Sequence, residues 1–170
     1  MGGFYDGSVS TAQAAATALE SNLHTMTEQQ GPVVRVTHRF GESAERVFNA
    51  WLDPATAGKF LFATPTGEMV KVQIESRPGG RYEIVERRDG EEVAHVGEYL
   101  EIERPARLVF TLSVPRYSPH VDRITIAISP LPDGCLLSFT DQMAPGSEEH
   151  LERATNGWST ILANLEKILG

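Results

Sequence analysis

The sequence has one cysteine, Cys135, set in the apolar stretch "GCLLSF". Neither an intrachain disulfide nor a cysteine-cluster metal site can form, and a reducing cytoplasm is the expected setting. Basic residues are also scarce, 15 against 23 acidic, for a formal charge of -8. Because they are scattered along the chain, neither nucleic acid nor an anionic membrane is an expected partner. No apolar run approaches the ~20 residues that cross a bilayer, and the amino terminus lacks the basic region and apolar core of a signal peptide. Catalytic signatures are missing too. His38, His120 and His150 lie far apart with no HExxH spacing, and there is no GxSxG elbow, so no metal or cofactor is expected.

What is present fits one domain. A chain of 170 residues, 41% of them hydrophobic, can bury a real core. Residues 1–31 stand apart: "STAQAAATALESNLH" is rich in alanine, and Leu19 and Leu23 supply little apolar surface. This segment reads as a flexible leader, helical in part, before a domain over 32–170.

From Val33 the pattern sharpens. "VVRVTHRF" alternates as a strand does, and "SAERVFNAWLD" repeats apolar groups at Ala44, Val47, Phe48 and Trp51 with Ser43 placed to cap a helix. Asp53-Pro54 ends that helix and opens a second, short one carrying Lys59, Phe60 and Phe62. Six further strands are expected over 68–76, 80–88, 92–103, 106–114, 121–130 and 134–142. Their connectors, Pro78-Gly79-Gly80, Asp89-Gly90, Arg104-Pro105 and Pro132-Asp133-Gly134, have the chemistry of tight reversals. A phosphate loop would lead from strand into helix; Gly80 leads instead into the alternating "RYEIVERR", so these glycines are read as hairpin turns. The chain closes with its longest helical pattern, in which Leu151, Ala154, Trp158, Ile161, Leu162, Leu165 and Leu169 form one apolar stripe, Ser147 is a candidate cap and Gly157 weakens the middle. The order β-α-α-β6-α gives an α+β domain in which a curved antiparallel sheet wraps a long carboxy-terminal helix, an arrangement that can leave a hollow.

The stretches "VTHRFGESAERVFNAWLDP", "RPGGRYEI", "GEYLEIERPARLVFT", "ITIAISPLPDGCLLSF" and "GWSTILANLEKIL" resemble, in that order, the START-like helix-grip (SRPBCC) superfamily, in the branch of the activator of 90-kDa heat-shock protein ATPase. The resemblance covers about residues 33–169. It implies a helix-grip fold whose sheet and final helix enclose a cavity for a small hydrophobic or amphipathic molecule, as in lipid carriers and polyketide cyclases. As an alternative, the family name suggests a chaperone partner and a stress-linked role. Relatives often carry a tryptophan pair after the second helix; here "KFLFATPTGE" offers Phe60 and Phe62. A monomer or homodimer is expected.

Candidate residues follow from strand parity. Over 92–103, Ala94, Val96, Leu100 and Ile102 share a face with Glu98, so a carboxylate interrupts an apolar row; buried, it would need a partner, a proton or water. The alternative is a bulge at Gly97 that turns Glu98 outward. If Glu98 does face a cavity, His95 or Tyr82 is its candidate acid–base partner in a cyclase- or hydrolase-type enzyme; otherwise the protein is a non-enzymatic binder. Expected ligand-facing residues are Val72, Ile74, Tyr82, Ile84, Val96, Glu98, Phe110, Leu112, Ile124, Ile126, Phe139, Trp158 and Leu162, with Leu137 and Leu165 beside them. Tyr117, in the loop "VPRYSPHVDR" with Arg116, His120 and Arg123, is a candidate rim residue. Core and pocket look alike in a single sequence.

Overall fold

The computed structural model describes residues 31–170; apart from Gly31, the segment read as a leader lies outside the described residues. Strand β1 (Val33–Phe40) is followed by helices α1 (Ala44–Ala50) and α2 (Pro54–Phe60). Strands β2 (Glu68–Ile74), β3 (Arg81–Arg88), β4 (Glu91–Glu103), β5 (Arg107–Leu112), β6 (Asp122–Leu131) and β7 (Gly134–Gln142) come next, then a short 3-10 turn and helix α3 (Leu151–Leu169). All seven strands form one antiparallel, curved and open sheet in the order β1-β7-β6-β5-β4-β3-β2. This is the α+β helix-grip arrangement expected from the element order.

Local chemistry sets the boundaries. The Ser43 hydroxyl accepts from the Arg46 amide at 3.2 Å and Asp53 accepts from the Thr56 amide at 3.1 Å, so each short helix has a side-chain cap. Ser147 makes no capping bond, and the chain takes the 3-10 turn Glu148–His150 before α3 begins. The β3–β4 hairpin closes through Asp89 and Gly90, both at positive φ (50° and 81°), the left-handed pair that matches the twist of adjoining strands.

The inward face of the sheet carries Val34 and Phe40 from β1, Leu137 and Phe139 from β7, Ile124 and Ile126 from β6, Leu108 and Phe110 from β5, and Tyr82 and Ile84 from β3, all buried. On β4 the inward residues are Val93, His95 and Tyr99, not the even-numbered row expected from parity. The register slips between Tyr99 and Glu101, so Leu100 is the extra residue of a bulge and Ile102 turns back toward the core. Gly97, expected as an alternative bulge, stays in register opposite Tyr82. A Cβ there would stand 1.9 Å from the Thr111 carbonyl oxygen and 2.7 Å from the Tyr82 ring. The missing side chain lets the Tyr82 ring lie across Gly97, and its hydroxyl donates to Thr111 O, on β5, at 2.6 Å.

Helix α3 buries Trp158, Leu162, Leu165 and Leu169. It packs over β1 and against α2, while α1 packs on β6 and β7 and α2 on β2. No described helix is long and apolar enough to cross a membrane. The middle of the concave face, over β3 to β5, is the part that the helices cover least, and there the cavity opens.

Candidate functional site

A cavity of about 880 Å3 lies between α3 and the sheet. Pockets of ~300–1,000 Å3 bury drug-sized molecules. Its helix wall is Ala154, Gly157, Trp158, Ile161 and Ile168, with Asn156, Thr160, Asn164 and Lys167 along the flank. The sheet supplies Arg88, His95 and Leu112, continued by Val114, and the lip is Lys59 with the segment Phe62–Pro65 after α2. A Cβ on Gly157 would meet nothing within 4 Å, so this glycine leaves the helix wall open.

The lip is built from β3. Glu86, only 1% exposed, accepts from the Thr64 amide at 2.8 Å and from the Thr64 hydroxyl, and takes Arg88 Nε at 3.3 Å. Arg88 Nη2 donates to the Phe62 carbonyl at 3.0 Å. A buried carboxylate is tolerated when it is hydrogen-bonded and paired, as here. These bonds hold Phe62 at a φ of 61°, a conformation that larger side chains rarely adopt, and its ring turns inward. There it stacks on His95 (centroids 4.2 Å apart, planes 8° apart) and meets Trp158 edge-on at 5.7 Å. His95 is 7% exposed and its Nδ1 has no hydrogen-bond partner. Burial, helped by the charge of Arg88, lowers its pKa to about 4, so the ring is neutral at physiological pH.

Behind Trp158 is a second polar cluster. Trp158 Nε1 donates to Asp141 Oδ2 at 3.1 Å, and Asp141, 1% exposed, has no N–H or O–H donor for Oδ1. Its neighbour there is another carboxyl, Asp122, and burial with that like charge beside it favours the protonated form of Asp141. Burial first, and then the charge of Asp122, push Asp141 up to about 8; Asp122 is raised as well, by burial.

Of the residues expected from sequence, Leu112, Trp158 and His95 line the cavity. Ile84, Phe110, Ile124, Ile126, Phe139 and Leu162 are sealed in the core beneath it, with Leu137 and Leu165. Val72 is half-buried on β2, where its methyl packs toward Gly58 of α2. Ile74, Tyr82, Val96 and Glu98 line a separate concavity of about 700 Å3, along with Arg81, Glu83 and Thr111. Glu98 is exposed, as the outward alternative has it, and opens on that second concavity, whereas His95 opens on the first. The Tyr82 hydroxyl is committed to Thr111 O. Glu98 and Tyr82 therefore border one concavity and His95 the other, so Glu98 does not meet His95. Tyr117 is 66% exposed and lines neither concavity.

Sequence parity missed Arg88, Glu86, Asp141 and the polar flank of α3. The signal for two of them was present: Glu86 follows Tyr82 and Ile84, and Asp141 follows Leu137 and Phe139, so each is a carboxylate in an apolar row. That pattern singled out Glu98, and it applied with equal force to β3 and β7. Among the described residues no group of three or more His, Cys, Asp or Glu side chains could hold a metal ion.

A curved sheet gripping a long terminal helix, with a hollow between them, defines a helix-grip protein. Within that class, residues 42–170 match the family described as "Activator of Hsp90 ATPase homolog 1-like protein", and the chain belongs to that family. Solved structures agree. A protein of Chromobacterium violaceum, 27% identical, aligns over 80% of this chain and 95% of its own with a TM-score of 0.73. A protein of Nitrosomonas europaea, 22% identical, aligns over 81% and 93% with a TM-score of 0.70. The solution structure of an AHSA1-like protein from Aeromonas hydrophila, 18% identical, aligns over 81% and 92%, also with a TM-score of 0.70. At those two lower identities the likeness is one of fold. No curated protein matches the chain.

Proposed function

We propose that this protein binds a small hydrophobic or amphipathic molecule in the cavity between α3 and strands β3 to β5. One observation carries the reading: α3 leans toward β1 and α2, leaving about 880 Å3 walled by Phe62, Leu112, Trp158, Ile161 and Ile168. An apolar guest there gains by leaving water, at roughly 25 cal/mol per Å2 buried. The lip is prepared for such a guest, since Glu86 and Arg88 fix the Phe62–Thr64 segment and a wall ordered beforehand costs less to close on a ligand.

Binding raises the melting temperature by mass action. A thermal-shift screen of fatty acids, isoprenoids and aromatic polyketides is expected to give at least one saturable rise in the full chain. The same compound should give no rise in Gly157→Leu, whose side chain occupies the cavity. Equal shifts in both proteins would place the binding elsewhere, and no shift from any class would end the reading.

A further inference from the structure

The cavity's charge has the opposite sign to the chain's. With 23 acidic and 15 basic residues the protein carries a formal charge of -8, yet the charged residues lining the cavity are Lys59, Arg88 and Lys167, with no acidic one. Arg88 is engaged with Glu86 and the Phe62 carbonyl. Lys59 and Lys167 are exposed, and neither forms an ion pair with a described residue.

Each lysine stands in the last turn of its helix, Lys59 of α2 and Lys167 of α3, a position that favours a cation by itself. Helix stability does not require the two to border the same hollow, nor the acidic majority to be absent from it. A lysine stem can lie on an apolar wall while its ammonium stays at the wet rim. Phe62, Trp158 and Ile161 give the cavity apolar walls, and the Nδ1 of His95, which also lines it, is buried and unpartnered.

We propose that the natural guest is an organic anion: a carboxylate at the rim, held by Lys59 and Lys167, on an apolar body that lies against Trp158. This rests on the reading of the cavity as a binding site and adds the guest's charge class. Charge-assisted hydrogen bonds to a carboxylate are among the stronger ones at a partly dry site, and a field of this sign concentrates anions at the mouth of a protein that otherwise repels them.

Tryptophan fluorescence of the full chain tests it, because Trp158 lines the cavity while Trp51 is 1% exposed in the core. The probes are decanoate and decan-1-ol, of equal chain length and different charge. Wild type is expected to bind decanoate about tenfold more tightly, a gap of about 1.4 kcal/mol, and high salt should narrow it. The double variant Lys59→Gln/Lys167→Gln should weaken decanoate about tenfold and leave decan-1-ol unchanged. Equal affinity for the two probes in wild type would overturn the anion assignment and leave the apolar cavity standing, as would decanoate binding untouched by the double variant. Binding of neither probe, as when the chain itself or a second copy fills the space, would overturn both readings.

Discussion

Replacing Asp141 by asparagine should flatten the pH dependence of folding stability. In the folded protein this carboxyl is pushed up to about 8 from its ordinary value of 3.8, so between those values the native state holds a proton that the unfolded chain has released. Stability from such a group is complete at low pH and lost as pH rises through the folded value. His95 acts in the opposite sense. Its folded value is lowered from 6.5 to about 4, so its contribution is complete above 6.5 and lost as pH falls toward the folded value. Below 6.5 the two slopes oppose one another; between 6.5 and about 8 the slope comes from Asp141 together with its partner Asp122. One proton corresponds to about 1.4 kcal/mol per pH unit, so wild type should lose up to ~2 kcal/mol across that window. Asparagine reproduces the protonated form: Oδ1 can accept from Trp158 Nε1 while the amide donates to Asp122. Urea denaturation of both proteins at intervals across the window reads the slope directly. Wild type should decline while Asp141→Asn stays level and overtakes it at the alkaline end. Parallel curves would refute a raised, protonated Asp141 behind Trp158.

Other substitutions give sharper structural outcomes. Gly157→Leu should raise helix stability by about 0.5–1 kcal/mol, since the site is a helix interior with open space beside it, and should abolish ligand binding; calorimetry with a titration reads both. Gly97→Ala should cost about 3 kcal/mol or more in denaturant, because its Cβ would stand 1.9 Å from Thr111 O. Tyr82→Phe removes only the bond to that same carbonyl and should cost about 1–2 kcal/mol, measured the same way. Glu98→Gln should leave stability within ~0.5 kcal/mol, as the side chain is exposed and forms no ion pair with a described residue.

The fold was legible because its signals are local. Ser43, Asp53-Pro54 and Asp89-Gly90 mark ends and turns through contacts a few residues away, and the stripe from Leu151 to Leu169 announces the gripping helix. The site was legible only in part. Trp158 and Leu112 emerge from parity, but the same parity names Ile126, Phe139 and Leu162, which α1 and α3 seal. Whether an inward side chain meets a neighbour or a void depends on where α3 leans, and no alternation records that. The bulge at Leu100 misled in another way: one inserted residue exchanged the faces of β4, moving Val96 and Glu98 outside and His95 in. Arg88 and Lys167 look like ordinary surface charge until the turn after α2 and the flank of α3 are brought to one cavity.

Native mass spectrometry of wild type and Gly157→Leu, each mixed with decanoate, tests the claim of an accessible apolar cavity most directly. A one-to-one adduct on wild type that is missing from Gly157→Leu is the predicted result. An adduct of equal abundance on both proteins, or on neither, would contradict it.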